Sequence, residues 1–429
     1  MKPASPNRIA LYSHDGMGLG HLRRNALLAA ALARRFPLAS ILLLSGAREL
    51  RRFPLPENVD SLTLPSFRKV ENGRYLPRHL HGEARRLHRL RERVIRAALL
   101  AYRPDLFLAD KVPEGLGGEL LPVLPRLRAR GTRMVLGLRD ILDAPEQVRD
   151  EWASNDTPAI ISDFYGEVWI YGDPNLYPLV EACDLPAVVG ERSRYTGYLD
   201  PRRHARPEGE DATHEDPALA TVRLHDPAVE RAAPKEPRSG VGPNLCLVGG
   251  GQDGEAVALA FAQARFPQDS PGILVEGPFL PAGVRSRLRR IASQRSDLTC
   301  VAFVPGAVPL LSRAGRVVSM GGYNAVTEIV TTRSRSLVIP RVHPRQEQRI
   351  RAECFASRGL LEWTSPEALT PEVLSTWMAS TTPERVSWQG LPDFEGLRRV
   401  GDLVLDPDHP GLERPAARDL ATPAPEPHA

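Results

Sequence analysis

The chain has 429 residues, of which 42% are hydrophobic and 25% are charged, a composition typical of globular proteins. This length exceeds one typical core and predicts two domains. A net charge of +4 gives no reason to expect a nucleic acid partner. No run approaches the ~18 consecutive apolar residues of a membrane span. Lysine occurs only at positions 2, 69, 111 and 235. So strong a preference for arginine suggests a GC-rich genome.

The cysteines indicate reduced thiols and no metal site. They are widely spaced, and no group of cysteine, histidine and aspartate shows metal-ligand spacing. A D-x-D pattern at 406–408 lies away from any predicted strand end, so we give it no role. The N-terminal segment leads directly into a strand-like run and lacks the apolar core of a signal peptide. We therefore expect a cytoplasmic protein without a metal or other cofactor.

The first part of the chain alternates predicted strands and helices. A strand at 8–13 is followed by a Gly-rich turn at 14–21 and an Ala/Leu-rich helix at 22–34. Further strand-like runs lie at 40–44, 106–109, 134–138 and 168–171, separated by helical patterns. This alternation predicts a parallel sheet wrapped by helices. We assign residues 1–199 to a Rossmann-like domain.

The same plan recurs in residues 241–400. Strand-like runs lie at 244–248, 272–275, 299–303, 316–320 and 337–339. Residues 200–240, rich in proline and charge, are predicted to be a flexible linker or insertion, and residues 401–429 a disordered tail. The predicted fold class is α/β, with two Rossmann-like doubly wound domains facing each other across a cleft.

The motif with the clearest chemical meaning is Met320-Gly321-Gly322-Tyr323-Asn324, which leads into Glu328. Two glycines between a strand and a helix let backbone N–H groups approach a ligand, and the helix start favours phosphate. Glu328 lies four residues after Asn324, so both are predicted on one helical face. A carboxylate there can accept hydrogen bonds from both hydroxyls of a ribose. Together these residues predict a sugar-nucleotide site.

The Gly-rich turn of the first domain ends in a candidate catalytic histidine. Gly16-Met17-Gly18-Leu19-Gly20-His21 fits neither the dinucleotide fingerprint nor the P-loop. Imidazole titrates near neutral pH, so His21 is a candidate general base; the alternative is a helix-start residue with no chemistry. Asp110 ends another strand and is the second candidate.

Two further segments of the second domain are predicted to contact the donor. The turn at 249–254 opens a helix in the way expected of a phosphate-binding loop, although a glycine run can also serve only to make a tight turn. The loop at 340–349 follows a strand, and its arginines, His343, Glu347 and Gln348 could contact phosphate or sugar hydroxyls. A plain surface loop is the alternative.

The helix predicted at 81–101 is basic and amphipathic. It carries many arginines and has Leu87, Leu90 and Val94 on one face. Such a helix can lie on an anionic membrane. The alternative is a helix packed on the core with a solvated basic face. Peripheral contact with the inner face of a membrane is therefore one expectation for this segment.

These residues resemble glycosyltransferase family 28, which includes the N-acetylglucosaminyltransferase that forms lipid II. Glu328 matches the ribose-binding glutamate of that family. Pro340, His343, Gln348 and Ala352 match its donor-sugar loop, where Glu347 and Arg351 depart from the pattern. Gly18-Leu19-Gly20-His21 is similar to its G-x-G-H loop. The resemblance covers about residues 8–200 and 242–400 and is nearest to a group of predicted bacterial glycosyltransferases.

The resemblance implies a GT-B, hexosyltransferase-type enzyme that transfers a sugar with inversion and without metal. A UDP-sugar would be the donor, bound by residues 241–400. A hydroxyl compound of unknown identity would be the acceptor, bound by residues 1–199. A UDP-sugar hydrolase of the same fold has a G-x-G-H-x-x-R loop, and Arg24 stands at its arginine position, so hydrolysis is the alternative. A non-catalytic sugar-nucleotide sensor is a third.

The predicted catalytic residues are His21 and Asp110. The predicted donor-binding residues, with the base against the loop before Leu310, are Gly18, Gly20, Gly249, Gly250, Gly251, Gln252, Phe303, Val304, Gly321, Gly322, Asn324, Thr327, Glu328, Arg341, His343, Glu347 and Gln348.

Overall fold

The computed structural model describes residues 5–14, 19–69, 75–202, 242–304, 306–380, 391–406, 408–409 and 411. These residues form two compact units. The first contains the residues up to Leu199 together with a segment that returns to it from Pro392 onward. The second contains the described residues between Asp200 and Leu391. Gly18 and most of the predicted linker at 200–240 lie outside the described residues.

The first unit is built on a seven-stranded parallel sheet in the order β3-β2-β1-β6-β7-β8-β9, beside a short antiparallel hairpin, β4–β5. The strands are β1 Arg8–Ser13, β2 Ser40–Ser45, β3 Val59–Thr63, β4 Phe67–Lys69, β5 Tyr75–Pro77, β6 Leu106–Asp110, β7 Arg133–Arg139, β8 Glu167–Tyr171 and β9 Ser193–Tyr195. The α-helices are Gly20–Arg35, Ala84–Tyr102, Leu124–Ala129, Pro145–Ser154, Thr157–Phe164, Leu179–Ala182, Ala187–Arg192 and Gly396–Leu405. Short 3-10 helices lie at Arg48–Arg52 and Leu116–Gly118.

The second unit is built on a six-stranded parallel sheet in the order β12-β11-β10-β13-β14-β15. The strands are β10 Asn244–Leu247, β11 Gly272–Val275, β12 Leu298–Val301, β13 Arg316–Ser319, β14 Ser336–Val338 and β15 Glu362–Trp363. The helices are Glu255–Gln263, Ala282–Ser293, Val308–Leu311, Tyr323–Thr331, Glu347–Ser357, the 3-10 helix Pro366–Ala368 and Pro371–Ala379.

Each sheet has one point where the strand order reverses. In the first unit the chain runs from β1 to β2 and β3 on one side, and then crosses to β6 on the other side of β1. In the second unit it runs from β10 to β11 and β12, and then crosses to β13. In open parallel sheets, ligands bind beyond the carboxyl ends of the strands at such a switch point. The topology therefore selects the ends of β1 and β6, and of β10 and β13.

The predicted boundary at residue 400 and the predicted tail from 401 are wrong where the structure describes them. Residues 396–405 form one helix, which packs in the first unit. The guanidinium of Arg133 donates to the carbonyls of Leu403 and Val404 at 2.7 and 2.8 Å, which caps the last turn of that helix. Tyr198 N also donates to Asp393 O at 2.7 Å. The remainder of the predicted tail, residues 412–429, lies outside the described residues.

The basic helix packs on the core. Helix Ala84–Tyr102 buries Leu87, Arg91, Ile95 and Leu99, one residue per turn. Its buried stripe therefore faces the protein, and its exposed face carries arginines together with Leu90. Arg91 is itself 0% exposed, and an ion pair with the buried Glu119 neutralises its charge. No helix in the described parts of the chain is long and apolar enough to cross a bilayer.

Candidate functional site

In the first unit, two predicted residues meet at the switch point. His21 lies in the first turn of helix Gly20–Arg35, just beyond β1, and Asp110 is the last residue of β6. His21 Nδ1 lies 2.7 Å from Asp110 Oδ2. The two residues are 89 positions apart in sequence, and the adjacency of β1 and β6 brings them together. The His21 side chain is 13% exposed, whereas Asp110 is completely buried.

A third residue, Arg24, completes this cluster. It lies one turn after His21, and its side chain is 1% exposed. Arg24 Nη2 is 2.6 Å from each carboxylate oxygen of Asp110, and Nε donates to Oδ1 at 3.1 Å. Nη2 also lies 2.9 Å from His21 Nδ1. The spacing of three residues on one helix was the available sequence signal, since it places Arg24 beside His21.

The cluster determines which ring nitrogen of His21 carries the proton. A guanidinium only donates, and Arg24 directs its donors to the oxygens of Asp110. An ionised Asp110 only accepts, so the stable arrangement has His21 Nδ1–H donating to Oδ2. The lone pair of the neutral ring is then on Nε2, the nitrogen that faces away from the carboxylate. A ring in this state can accept a proton from a hydroxyl group.

The surrounding charges act on the pKa values of the cluster in opposite directions. Burial would raise the pKa of Asp110, but Arg24 and His21 outweigh it and hold the pKa well below its usual range. Burial lowers the pKa of His21; Asp110 opposes this effect, and the positive charges of Arg24 and Arg139 add to it. The net pKa of His21 is below its ordinary value, so the neutral ring predominates at neutral pH.

His14 lies on the other side of His21, with the two ring centroids 4.4 Å apart. Burial, His21 and Lys111 lower the pKa of His14 well below its ordinary value. Its Nδ1 is buried without a hydrogen-bond partner. The ring is therefore uncharged and shields one side of His21 from water.

In the second unit, both predicted Gly turns lie at the switch point. The turn at 249–254 follows β10, and Gly321 and Gly322 follow β13, its neighbour in the sheet. The hydroxyl of Ser319, the last residue of β13, donates to Leu247 O at 3.2 Å. Each turn opens a helix, Glu255–Gln263 and Tyr323–Thr331. Two helix starts therefore lie side by side at the position where an open sheet binds anions.

The glycines in these turns have different reasons to be glycine. Gly321 has a φ of 75°, and a Cβ there would lie 3.0 Å from Val338 and 3.2 Å from Gln348 O. Gly251 has a φ of 84° and packs against Gly277, whose own Cβ would overlap the backbone of Gly250. These positions are explained by packing. Gly322 is half-buried, with ordinary φ and open space where a Cβ would be, so packing does not require glycine there.

The predicted donor loop contacts the first Gly turn through Arg341. Its guanidinium donates to Asp253 Oδ2 at 3.0 Å and to Glu347 Oε1 at 2.5 Å. Arg341 N donates to Gln348 Oε1 at 3.0 Å, which leaves the amide nitrogen of Gln348 as the group that can donate to a sugar. A phosphate bound to Arg341 must therefore compete with two carboxylates. Gln252 and His343 are exposed beside these groups.

The other predicted donor residues differ in accessibility. Asn324 is half-buried, whereas Glu328 on the same helix is 1% exposed. Thr327 is also 1% exposed, and its hydroxyl donates to Tyr323 O at 2.9 Å, so its proton is engaged within the helix. Phe303 and Val304 are half-buried and follow β12, the edge strand. Gly20, the first residue of the helix that carries His21, has open space at its Cβ position.

Sequence reasoning missed the contacts made by Arg351. This residue is 0% exposed, donates to Gly321 O at 3.1 Å and lies over the ring of Tyr323. These contacts hold the Gly321–Gly322 turn in place. No group of histidine, cysteine and acidic residues within the described ranges is arranged to hold a metal.

Comparison with known proteins gives a match in structure and none in sequence. No family model and no curated protein sequence matches the chain. The calicheamicin glycosyltransferase CalG4 is 16% identical with a TM-score of 0.51, over 93% of this chain and 94% of that one. A UDP-glucose:anthocyanidin 3-O-glucosyltransferase in complex with UDP is 14% identical with a TM-score of 0.55, over 95% and 96%. A UDP-GlcNAc 2-epimerase from Neisseria meningitidis bound to UDP-GlcNAc is 11% identical with a TM-score of 0.54, over 92% and 97%.

These neighbours include both transferases and an epimerase, so at these identities the match concerns the fold. It extends over more than nine-tenths of this chain and of each of the three neighbours. The predicted fold class is confirmed: the chain has two parallel-sheet α/β domains of the GT-B fold.

Proposed function

We propose that the protein is a glycosyltransferase that moves a sugar from a UDP-sugar to a hydroxyl group of an acceptor. The observation that carries the proposal is the hydrogen bond between His21 and the buried Asp110 at the switch point of the first sheet. That bond orients a neutral imidazole as a general base. Fold alone would not separate transfer from epimerisation.

In the proposed reaction the oxygen of the acceptor hydroxyl attacks the anomeric carbon of the donor sugar. His21 Nε2 takes the proton of that hydroxyl as the new bond forms. The bond from that carbon to the diphosphate breaks, and the nucleoside diphosphate leaves with the electron pair. Attack on the side opposite the leaving group inverts the configuration at that carbon. Asp110 keeps the ring oriented and stabilises the imidazolium that forms, so it is a positioning residue in this mechanism.

The second unit supplies the donor site in this proposal. The backbone N–H groups at Gly322 and at the start of helix Glu255–Gln263 would bind the diphosphate, so that its growing charge needs no metal. Glu328 would accept hydrogen bonds from the ribose, and the half-buried Phe303–Val304 segment would contact the base. Gln348 and Glu347 would form hydrogen bonds with the hydroxyl groups of the sugar. The family 28 assignment is part of the proposal and depends on these residues.

The acceptor is tested with a panel, because acceptor recognition follows no general code. Wild-type protein is incubated with UDP-, GDP- and TDP-sugars and with lipid-linked, polysaccharide and small-molecule hydroxyl acceptors, and nucleotide release is measured. The lipid-linked acceptors are presented in vesicles containing anionic lipid, to which the exposed arginines of helix Ala84–Tyr102 would be attracted. We expect acceptor-dependent release of UDP.

The His21→Ala variant tests the base. We expect acceptor-dependent UDP release to fall by about 100-fold or more, because a positioned general base contributes 10²–10⁴-fold. UDP affinity should stay within a factor of about two, because the donor residues lie in the second unit. Rapid release without any acceptor would identify a nucleotide-sugar hydrolase instead. Binding with no release under any condition would identify a sensor, and unchanged release by His21→Ala would reject His21 as the base.

A further inference from the structure

Arg24 is placed to control the protonation of His21. In a simple histidine–carboxylate pair, the negative carboxylate favours the imidazolium and raises the pKa of the histidine. Here the carboxylate of Asp110 is already shared. Arg24 contacts both of its oxygens at 2.6 Å, and both residues are almost completely buried. The low dielectric constant of the interior strengthens these interactions.

Protonation of His21 would add a second positive charge beside Arg24. The 2.9 Å between Arg24 Nη2 and His21 Nδ1 leaves no room for water between the two groups. The other groups that face the cluster add to this effect: His14 lies 4.4 Å away, ring to ring, Arg139 acts on His21, and Lys111 acts on His14. Asp110 supplies the negative charge of this arrangement, and Arg24 balances it.

We propose that Arg24 is a positioning residue that keeps His21 uncharged near neutral pH by neutralising Asp110 on both of its oxygens. The inference deepens the proposed function, because only an uncharged His21 can accept the acceptor's proton. It predicts that the acid limb of the pH–activity profile lies below the ordinary histidine pKa, since the neutral ring persists to lower pH. Without the charge of Arg24, Asp110 would favour the imidazolium more strongly, and the pKa of His21 would rise although burial still opposes the charge.

The test is an NMR titration of the protein without ligands, with histidine labelled at Cε1 and the His21 signal identified by its absence in His21→Ala. Arg24→Gln and Arg24→Met remove the charge, and Arg24→Lys retains it. Arg34→Gln removes an exposed charge from the same helix and is the matched control. We expect the pKa of His21 to rise by about one unit or more in Arg24→Gln and Arg24→Met, because the carboxylate of Asp110 is then no longer neutralised. The pKa of His21 should change little in Arg24→Lys and Arg34→Gln.

The proposal is overturned if either neutral variant is folded by circular dichroism and its His21 titrates as in the wild type. Arg24→Lys separates charge from structure: it should keep the low pKa of His21 even if its stability falls. If all three Arg24 variants unfold, Arg24 serves the fold and the proposal is rejected.

The titration is independent of the proposed function because it needs no donor or acceptor. A raised pKa in a protein whose turnover does not need His21 would leave the charge relationship intact and reject the base. An unchanged pKa in a protein whose turnover needs His21 would reject the charge relationship and leave His21 as the base. With an active acceptor, the acid limb of UDP release should move to higher pH by the same amount in Arg24→Gln. A structural defect alone would lower the rate equally at every pH.

Discussion

At the residue scale, His21 and Asp110 illustrate what a sequence pattern can and cannot establish. Each was predictable as a polar residue at the carboxyl end of a strand. Their contact was not, because it depends on β6 pairing with β1 while β2 pairs with the other side of β1. The sequence leaves both as candidate bases, and the structure shows that their environments differ. Asp110 is completely buried and held by Arg24, whereas His21 retains access to solvent.

The pairing of Arg24 with Asp110 also depends on which strands are neighbours in the sheet. Arg24 is 86 residues from its carboxylate partner, and its sequence signals are its place one turn after His21 and its match to the arginine of the G-x-G-H-x-x-R loop. Neither signal predicts the contact with Asp110. Burial distinguishes Arg24, because a guanidinium 1% exposed to solvent must be paired.

Glu328 gives the prediction that belongs to this scale. Replacing it with glutamine keeps the shape of the side chain and removes its charge. We expect the Kd for UDP to rise by roughly 10-fold or more, since hydrogen bonds to a charged group contribute about 1.5–3 kcal/mol. Calorimetric titration measures this directly.

A matched ligand separates the ribose contact from a change in the fold. UDP lacking both ribose hydroxyls should bind the wild type and Glu328→Gln with similar affinity, because the proposed contact is absent in both complexes. If Glu328→Gln binds UDP as tightly as the wild type, the nearly complete burial of Glu328 means that it serves the helix and not the ligand.

At the element scale, a buried network fixes the segment that follows Asp110. Glu119 accepts hydrogen bonds from Tyr12 Oη at 2.5 Å and from Arg91 Nε and Nη2 at 2.7 and 2.6 Å. Tyr12 Oη in turn accepts from Leu116 N at 3.0 Å. The network joins β1, helix Ala84–Tyr102 and the residues after β6. It therefore holds in register the two strand ends beside which His21, Arg24 and Asp110 meet.

Breaking this network should cost stability. Glu119→Ala leaves the Arg91 charge buried without its partner, so we expect the free energy of unfolding to fall by about 3–5 kcal/mol. Urea denaturation measures the change. The double variant Arg91→Met/Glu119→Leu removes both charges and should recover most of the loss. If Glu119→Ala is as stable as the wild type, the ion pair is not a structural support of the first unit.

This network also explains an error at the element scale. Counting arginines along helix Ala84–Tyr102 predicts a basic face, with Leu90 among the buried residues. The buried positions are instead one per turn at Leu87, Arg91, Ile95 and Leu99, and Leu90 is 46% exposed. A period-based reading assigns a charged residue to the solvent face. It fails when a distant carboxylate neutralises that residue.

At the scale of the whole molecule, most of the fold followed from the alternation of strands and helices. The central strands of both sheets were predicted within a few residues, because they are continuous apolar runs ending in Gly-rich or charged turns. The edge strands β3, β9 and β15 were missed, since they are short or only partly buried. The helix Gly396–Leu405 was missed: residues up to 400 were assigned to the second domain and the rest to a tail, because its contacts are with residues hundreds of positions earlier.

The two sheets share one organising feature. Each places its predicted chemical groups at the reversal of its strand order: the histidine–aspartate pair in the first unit and the two Gly turns in the second. Their coincidence with the two switch points is the whole-molecule argument for a sugar-nucleotide enzyme.

The most direct test of this account is calorimetric titration of UDP into the wild type and Gly322→Val. Gly322 has ordinary backbone angles and no atom within 4 Å of an added Cβ, so valine should fold normally while filling the proposed diphosphate site. Gly283→Val, at another glycine with open space around it, is the control.

We predict that UDP binds the wild type and Gly283→Val, and that at 100 times its Kd it stabilises each by about 2.7 kcal/mol. Gly322→Val should be as stable as the wild type without ligand and should lose UDP binding. Failure of UDP to bind the wild type, or equal binding by Gly322→Val, would contradict the assignment of the nucleotide site.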